Sequence, residues 1–193
     1  MKTILCFGDS ITFGKTDRQN CWVSLLRKKF EDNHNYVYNL GIPGNTSFDL
    51  VERFEIESKA RCFIKRKGDK HLILVSIGTN DARYNDEEIT TSNNNYRKNI
   101  QKIIKISKKL KKTDLIFIAI TYLDESKTIP WEDYNYENKY LEGYNQIMKE
   151  ECRKNNLTFI DISNVKISTE DGLHPDIKQH KEMYKIINKN VSS

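Results

Sequence analysis

Five short apolar, β-branched runs punctuate the chain at Thr3–Phe7, Tyr36–Leu40, Leu72–Ile77, Leu115–Ile120 and Leu157–Ile162, and a helix-length amphipathic segment separates each from the next. Three of the runs are almost continuously apolar rather than alternating, which is what strands of a parallel sheet covered on both faces require. The segments between them, Cys21–Phe30, Phe48–Lys65, Glu88–Leu110 and Lys139–Lys154, read as helices, and Ile177–Lys189 closes the chain with another. Strand–helix alternation of this kind predicts an α/β fold: a doubly wound, three-layer sandwich with a five-stranded parallel sheet and helices on both faces. Ligands of such sheets bind at the carboxyl edge.

No internal repeat, long linker or low-complexity tail interrupts the pattern, so residues 1–193 are expected to form a single domain. One stretch departs from it. Residues Thr121–Asn138, with Pro130, Trp131 and several tyrosines and acids, are too long for an ordinary connection and predict a loop with a task. Lys+Arg 32 against Asp+Glu 27 gives a formal net charge of +5. The lysines between Lys98 and Lys112 carry no interleaved aromatics, so they read as a solvated helix face and not as a nucleic-acid surface. Cys6, Cys21, Cys62 and Cys152 lie far apart, with no Cys-x-x-Cys and no metal-ligand spacing, which suits reduced thiols. No signal-peptide pattern follows Met1 and no run approaches the roughly 18 apolar residues of a membrane span. The expectation is a cytoplasmic protein without membrane span, metal or cofactor. Its oligomeric state is open.

The chemistry-bearing residues cluster just past predicted strands. Gly8-Asp9-Ser10 follows the first, Gly41-Ile42-Pro43-Gly44-Asn45-Thr46 the second and Gly78-Thr79-Asn80-Asp81 the third; Asp171-Gly172-Leu173-His174-Pro175 opens the last helix. The topology would bring all four to one edge. Acyl transfer needs a hydroxyl nucleophile, a base, a group that orients the base, and donors aimed at the developing oxyanion. Ser10 supplies the hydroxyl and His174 the base. Asp171, three residues before His174, is spaced for a turn that brings its carboxylate to the other ring nitrogen. The backbone N–H groups of Ser10 and Gly44 and the side-chain amide of Asn80 are the candidate oxyanion donors, glycine because a Cβ would crowd the approach.

Together these motifs resemble the GDSL/SGNH hydrolase family of esterases and lipases, over nearly the whole chain and in the family's order. Ile11 stands where the family name records leucine. The resemblance implies a flavodoxin-like sandwich, Ser10 as nucleophile, Asp171 and His174 completing a triad, and Gly44 and Asn80 as oxyanion donors. It implies a serine ester hydrolase of small-molecule acyl esters, with thioesterase or lysophospholipase activity as the alternative within the family. Short acyl groups such as acetyl on a carbohydrate or small metabolite are favoured, partly by that analogy and partly because the sequence shows no broad apolar groove or lid helix suited to long chains.

Other readings weigh against parts of this picture. Gly8 through Thr16 nearly matches the phosphate-cradling loop Gly-x-x-x-x-Gly-Lys-Ser/Thr but has one residue too many between its glycines, which would misaim the backbone donors of a phosphate- or nucleotide-binding module. Asp9 faces substrate or hydrogen-bonds its own turn, and Asp81 reads as a turn former. Arg83 and Tyr84, just past the third motif, and Tyr122 and Trp131 in the long loop are candidate substrate contacts. Their alternative is ordinary packing, together with Tyr134, Tyr136 and Tyr140. His34, His71 and His180 have no partner at catalytic or metal spacing and read as surface or packing residues.

Overall fold

The computed structural model describes residues 2–32, 34–63, 67–85 and 88–191. In chain order its elements are β1 (Lys2–Gly8), α1 (Ser10–Phe13), α2 (Trp22–Phe30), β2 (Tyr36–Gly41), α3 (Ser47–Arg61), β3 (Lys70–Ser76), β4 (Arg83–Asn85), β5 (Glu88–Ile89), α4 (Asn93–Ser107), β6 (Thr113–Ile118), α5 (Glu125–Thr128), β7 (Asn135–Tyr136), α6 (Asn138–Asn155), β8 (Thr158–Ile160) and α7 (Ile177–Val191). The five strands expected from the apolar runs form one parallel sheet in the order β2-β1-β3-β6-β8. With those strands counted one to five, this is the flavodoxin-like order 2-1-3-4-5.

The period-two geometry of a strand sorts its side chains between two cores. Leu5 and Phe7 of β1, Ile73 and Val75 of β3, and Leu115 and Phe117 of β6 face one layer, where Leu50 and Phe54 of α3, Ile100 of α4 and Met148 of α6 cover them. Ile4 and Cys6, Leu72 and Leu74, and Ile116 and Ile118 face the other, against Trp22 and Leu26 of α2 and Met183 and Ile187 of α7. Two buried faces explain the unbroken apolar runs. Each fully buried Leu, Ile or Phe contributes about 1.5–3 kcal/mol.

Strand register carries the motifs to one edge, since Gly8 of β1 lies opposite both Gly41 of β2 and Ser76 of β3. Helix α1 packs onto that edge so tightly that a Cβ on Gly41 would meet the backbone nitrogen of Phe13 at 2.3 Å. Two expectations need correction or limits. Glu88 does not begin a helix: Glu88–Ile89 pairs antiparallel with β4, and α4 starts only after Ser92, whose hydroxyl accepts from the Asn95 N–H as an N-cap. Lys65, the expected end of the second helix, Phe48–Lys65, lies outside the described residues. The long stretch after β6 contains α5 and β7, and β7 joins β4 and β5 in a small antiparallel sheet beside the carboxyl edge.

Candidate active site

Ser10 stands at the first position of α1, immediately past β1, where its N–H has no helical acceptor. Asp9 precedes it as the N-cap, and its buried carboxylate accepts from the Ile11 N–H at 2.9 Å. Burial pushes the Asp9 carboxyl up to about 6, with the Ile11 N–H and the Thr79 hydroxyl working in the opposite direction. Asp9 thus shapes the turn that presents Ser10, with its side chain 2% exposed. The N–H groups of Ile11, Phe13, Gly14 and Lys15 all bond to Asp9 or Ser10, so this loop does not turn its donors toward a common ligand as a phosphate cradle must.

The hydroxyl of Ser10 lies 2.9 Å from Nε2 of His174, 164 residues away in the chain. His174 Nδ1 lies 2.7 Å from Oδ2 of Asp171. Local sequence builds this second contact. Gly172 takes φ +67°, a left-handed conformation that favours glycine, and the turn lets Asp171 Oδ1 accept from the N–H groups of Leu173 and His174, both at 3.0 Å, and from the Thr169 hydroxyl at 3.1 Å. Burial alone would raise the Asp171 pKa, but the backbone N–H of His174, its imidazole and the Leu173 N–H outweigh it and hold the carboxyl at about 2. At His174 burial is the largest influence and lowers the pKa; Asp171 and Glu132 pull it up, and the Lys15 ammonium pushes it further down. The net is an imidazole neutral at neutral pH beside an ionised carboxylate. That arrangement can accept a proton from a hydroxyl it already touches.

The second motif forms a turn closed by the Asn45 N–H donating to the Ile42 carbonyl at 3.1 Å. Pro43 at its second position and Gly44 at φ +82° in its third are the marks of a type II turn. Nothing lies within 4 Å of where a Gly44 Cβ would stand, and its N–H makes no hydrogen bond among the described residues. Asn80 donates one amide hydrogen to the Asn45 carbonyl at 3.0 Å, leaving its second. Asp81 turns inward: it is 0% exposed and accepts from the Ser47 N–H at 2.8 Å and the Ser47 hydroxyl at 2.5 Å. Its carboxylate therefore anchors the amino end of α3, a stronger tie than the turn expected of it.

Beyond this hydrogen-bonded floor stands an aromatic hairpin. Trp131 and Tyr134 exchange backbone hydrogen bonds of 2.7 and 3.0 Å, and the Trp131 ring lies 6.3 Å from the His174 ring between centroids. The Lys15 ammonium lies 5.7 Å from the Trp131 centroid, and the Arg83 guanidinium 5.0 Å from that of Tyr134. Tyr84 is turned toward α6, with Tyr140 and Lys139 at 5.5 and 6.0 Å from its ring. Tyr122 is not brought to this cluster: it lines a groove with Ser163, Asn164, Lys166 and Ile167. Its backbone N–H is committed to the Ser163 carbonyl, which turns it toward the β8 side of the sheet. His71 and His180 are each 1% exposed, and burial lowers the pKa of both. Among the described residues no group of three or more His, Cys, Asp or Glu is placed to hold a metal ion.

Two contributors escape a reading of motifs. Arg53, on α3, reaches the Gly8 carbonyl and the Asn45 side chain, and Asn99, on α4, donates to the Ser47 hydroxyl that also contacts Asp81. Arg53 occupies the inner side of a helix otherwise studded with acids and bases, and its helical phase with Leu50 and Phe54 was the available signal.

Comparison with known proteins bears on the fold and the family. No curated protein matches the chain in sequence. Among solved structures it is similar to a member of the lipolytic protein G-D-S-L family from Veillonella parvula, with a TM-score of 0.73, 20% identity and coverage of 100% of this chain and 99% of that one. It is also similar to Est24, a carbohydrate acetylesterase from Sinorhizobium meliloti, with a TM-score of 0.78, 13% identity and the same coverages. A lipase/acylhydrolase from Enterococcus faecalis follows with a TM-score of 0.75, 23% identity and coverages of 99% and 95%. At these identities the likeness is one of fold. The sequence profile of the GDSL-like Lipase/Acylhydrolase family matches residues 6–182, which span every motif from the Ser10 turn to His174, and the chain belongs to that family.

Proposed function

We propose that the protein is a serine ester hydrolase in which Ser10, His174 and Asp171 form the catalytic triad and the Ser10 N–H, the Gly44 N–H and the Asn80 amide stabilise the oxyanion. The observation that carries this reading is the continuous chain from Asp171 Oδ2 through the His174 ring to Ser10 Oγ, with links of 2.7 and 2.9 Å. The Ser10 oxygen attacks the acyl carbon while its proton passes to Nε2. The tetrahedral intermediate collapses as His174 returns that proton to the departing alcohol, leaving the acyl group on Ser10. Water, deprotonated by His174, then attacks the acyl-enzyme, and the acid leaves as the serine recovers its proton. Asp171 stays ionised throughout and stabilises the imidazolium.

Short acyl esters of a carbohydrate or small metabolite are the favoured substrates. The flat face of Trp131 beside His174, with Lys15 above it, suits a sugar or similarly flat alcohol part. Hydrolysis of p-nitrophenyl acetate, lost in Ser10→Ala and in His174→Ala, tests the reaction, and stoichiometric labelling of Ser10 by a serine-directed phosphonate tests the nucleophile. Full turnover in either variant refutes the triad. A series of acyl lengths and acetylated sugars tests the substrate class, and a sharp optimum at long chains refutes the short-acyl preference.

A further inference from the structure

The Gly44 turn poses a mechanical problem. Types I and II of a turn differ chiefly by a rotation of the central peptide, which here carries the Gly44 N–H, so that donor faces one way in one form and the opposite way in the other. Pro43 and Gly44 favour the form seen, yet the tip is exposed and nothing lies within 4 Å of where a Gly44 Cβ would stand. Its direction depends on what holds the two ends.

At the leading end, the Ile42 N–H donates to the Gly8 carbonyl at 3.0 Å. At the trailing end, Asn45 is gripped from two sides: its carbonyl accepts from Asn80 Nδ2 at 3.0 Å, and its side-chain oxygen accepts from Arg53 Nε at 2.8 Å. The same guanidinium donates through Nη2 to the Gly8 carbonyl at 3.2 Å and lies 5.6 Å from the centroid of Phe7. Its remaining arm reaches Glu57 at 3.0 Å, one turn further along α3. One rigid fork therefore ties the end of β1, two residues before Ser10, to the residue that follows Gly44 and receives Asn80.

We propose that Arg53 is a positioning residue for the oxyanion donors, holding the Gly44 peptide and, through Asn45, the Asn80 amide in register with Ser10. This rests on the esterase reading above. Arg53 touches neither substrate nor the reacting atoms. It acts by geometry, and a planar fork does what a lysine ammonium, a single point of charge on a flexible stem, does not.

The test compares Arg53→Met, Arg53→Lys, Asn45→Ala and the Arg53→Met/Asn45→Ala double variant on p-nitrophenyl acetate. Arg61→Met is the control, because Arg61 also contacts Glu57 on the same helix but makes none of the bonds to Gly8 or Asn45. Loss of a whole oxyanion donor costs about 100- to 1,000-fold in kcat, so loss of its positioning is expected to cost about 10- to 100-fold. The fall should appear in kcat with KM within about threefold, because the oxyanion develops only in the transition state. The double variant should fall no further than the worse single one. Arg53→Lys should fail to restore the rate, Arg61→Met should retain it, and phosphonylation of Ser10 should slow in parallel with kcat. The acid limb of the pH profile should stay in place, since His174 is untouched.

Additive losses, rescue by Arg53→Lys, or a rate that falls only in proportion to the unfolded fraction seen by thermal melting would overturn the inference. If wild type shows no Ser10-dependent turnover, the esterase reading fails, and this proposal with it. If wild type is active and Arg53→Met is unaffected, only this proposal fails.

Discussion

The floor and the wall of the site are built by different physics. The floor, from Asp171 through Ser10 to Asn45 and Asn80 behind the exposed Gly44 turn, is made of buried or half-buried polar groups directed by hydrogen bonds to backbone and to one another. The wall, the Trp131–Tyr134 hairpin, offers aromatic faces with cations above them, and Tyr134 is 41% exposed. Directional bonds in a dry setting set angles, as stabilising a transient charge requires. Aromatic faces set an area and tolerate many shapes. On the proposed reading, reaction type belongs to the floor and substrate choice to the wall, so changes in one should leave the other measurable.

The comparison breaks most decisively at Ser10 and His174. Either alanine variant should lower kcat by about 10,000-fold or more with folding intact, and the double variant should cost scarcely more than either, which single-turnover kinetics and thermal melting check. Asn80→Ala should cost about 100- to 1,000-fold in kcat with little change in KM. Asp81→Ala attacks the support beneath the floor: it strands the Ser47 N–H and hydroxyl, and denaturant unfolding should read a loss of about 2–3 kcal/mol.

On the wall, Trp131→Ala should raise KM for acetylated sugars by about tenfold while leaving kcat for p-nitrophenyl acetate within about threefold, a split that a floor residue should not show. The smallest effect joins the two regions. The Lys15 charge helps lower the His174 pKa, so Lys15→Met should let that pKa rise and move the acid limb of kcat/KM to higher pH. In the proposed mechanism the working base is the neutral imidazole, so the variant should lose activity sooner on acidification from neutral pH. Because Lys15 is exposed, added salt should shrink the shift.

Much of the floor was legible in the chain. Glycines and short polar residues directly after apolar runs marked the carboxyl edge, and Asp171 lies close enough to His174 for a turn to join them. The core strands were legible because burial on both faces leaves a continuous apolar signature, readable without knowing any neighbour. Boundaries were weaker. At Glu88 a two-residue strand precedes the helix, and its pairing with β4 is a tertiary event that no local propensity encodes. The wall was only half legible. Trp131 reaches the site, but Tyr122, from the same long segment, is carried to the β8 side by the path of its backbone.

The amino-acid sequence by itself determined the layer order and the identities of the groups at the sheet edge, because strand and helix periods, turn glycines and capping residues act over a few positions. Only the tertiary structure decided which long side chains meet across elements. Arg53 reaches the Gly8 carbonyl across 45 positions and Ser10 meets His174 across 164, distances over which helix phase, crossover path and side-chain length combine. Such meetings are properties of packing, and they turned a set of motifs into a single oriented site.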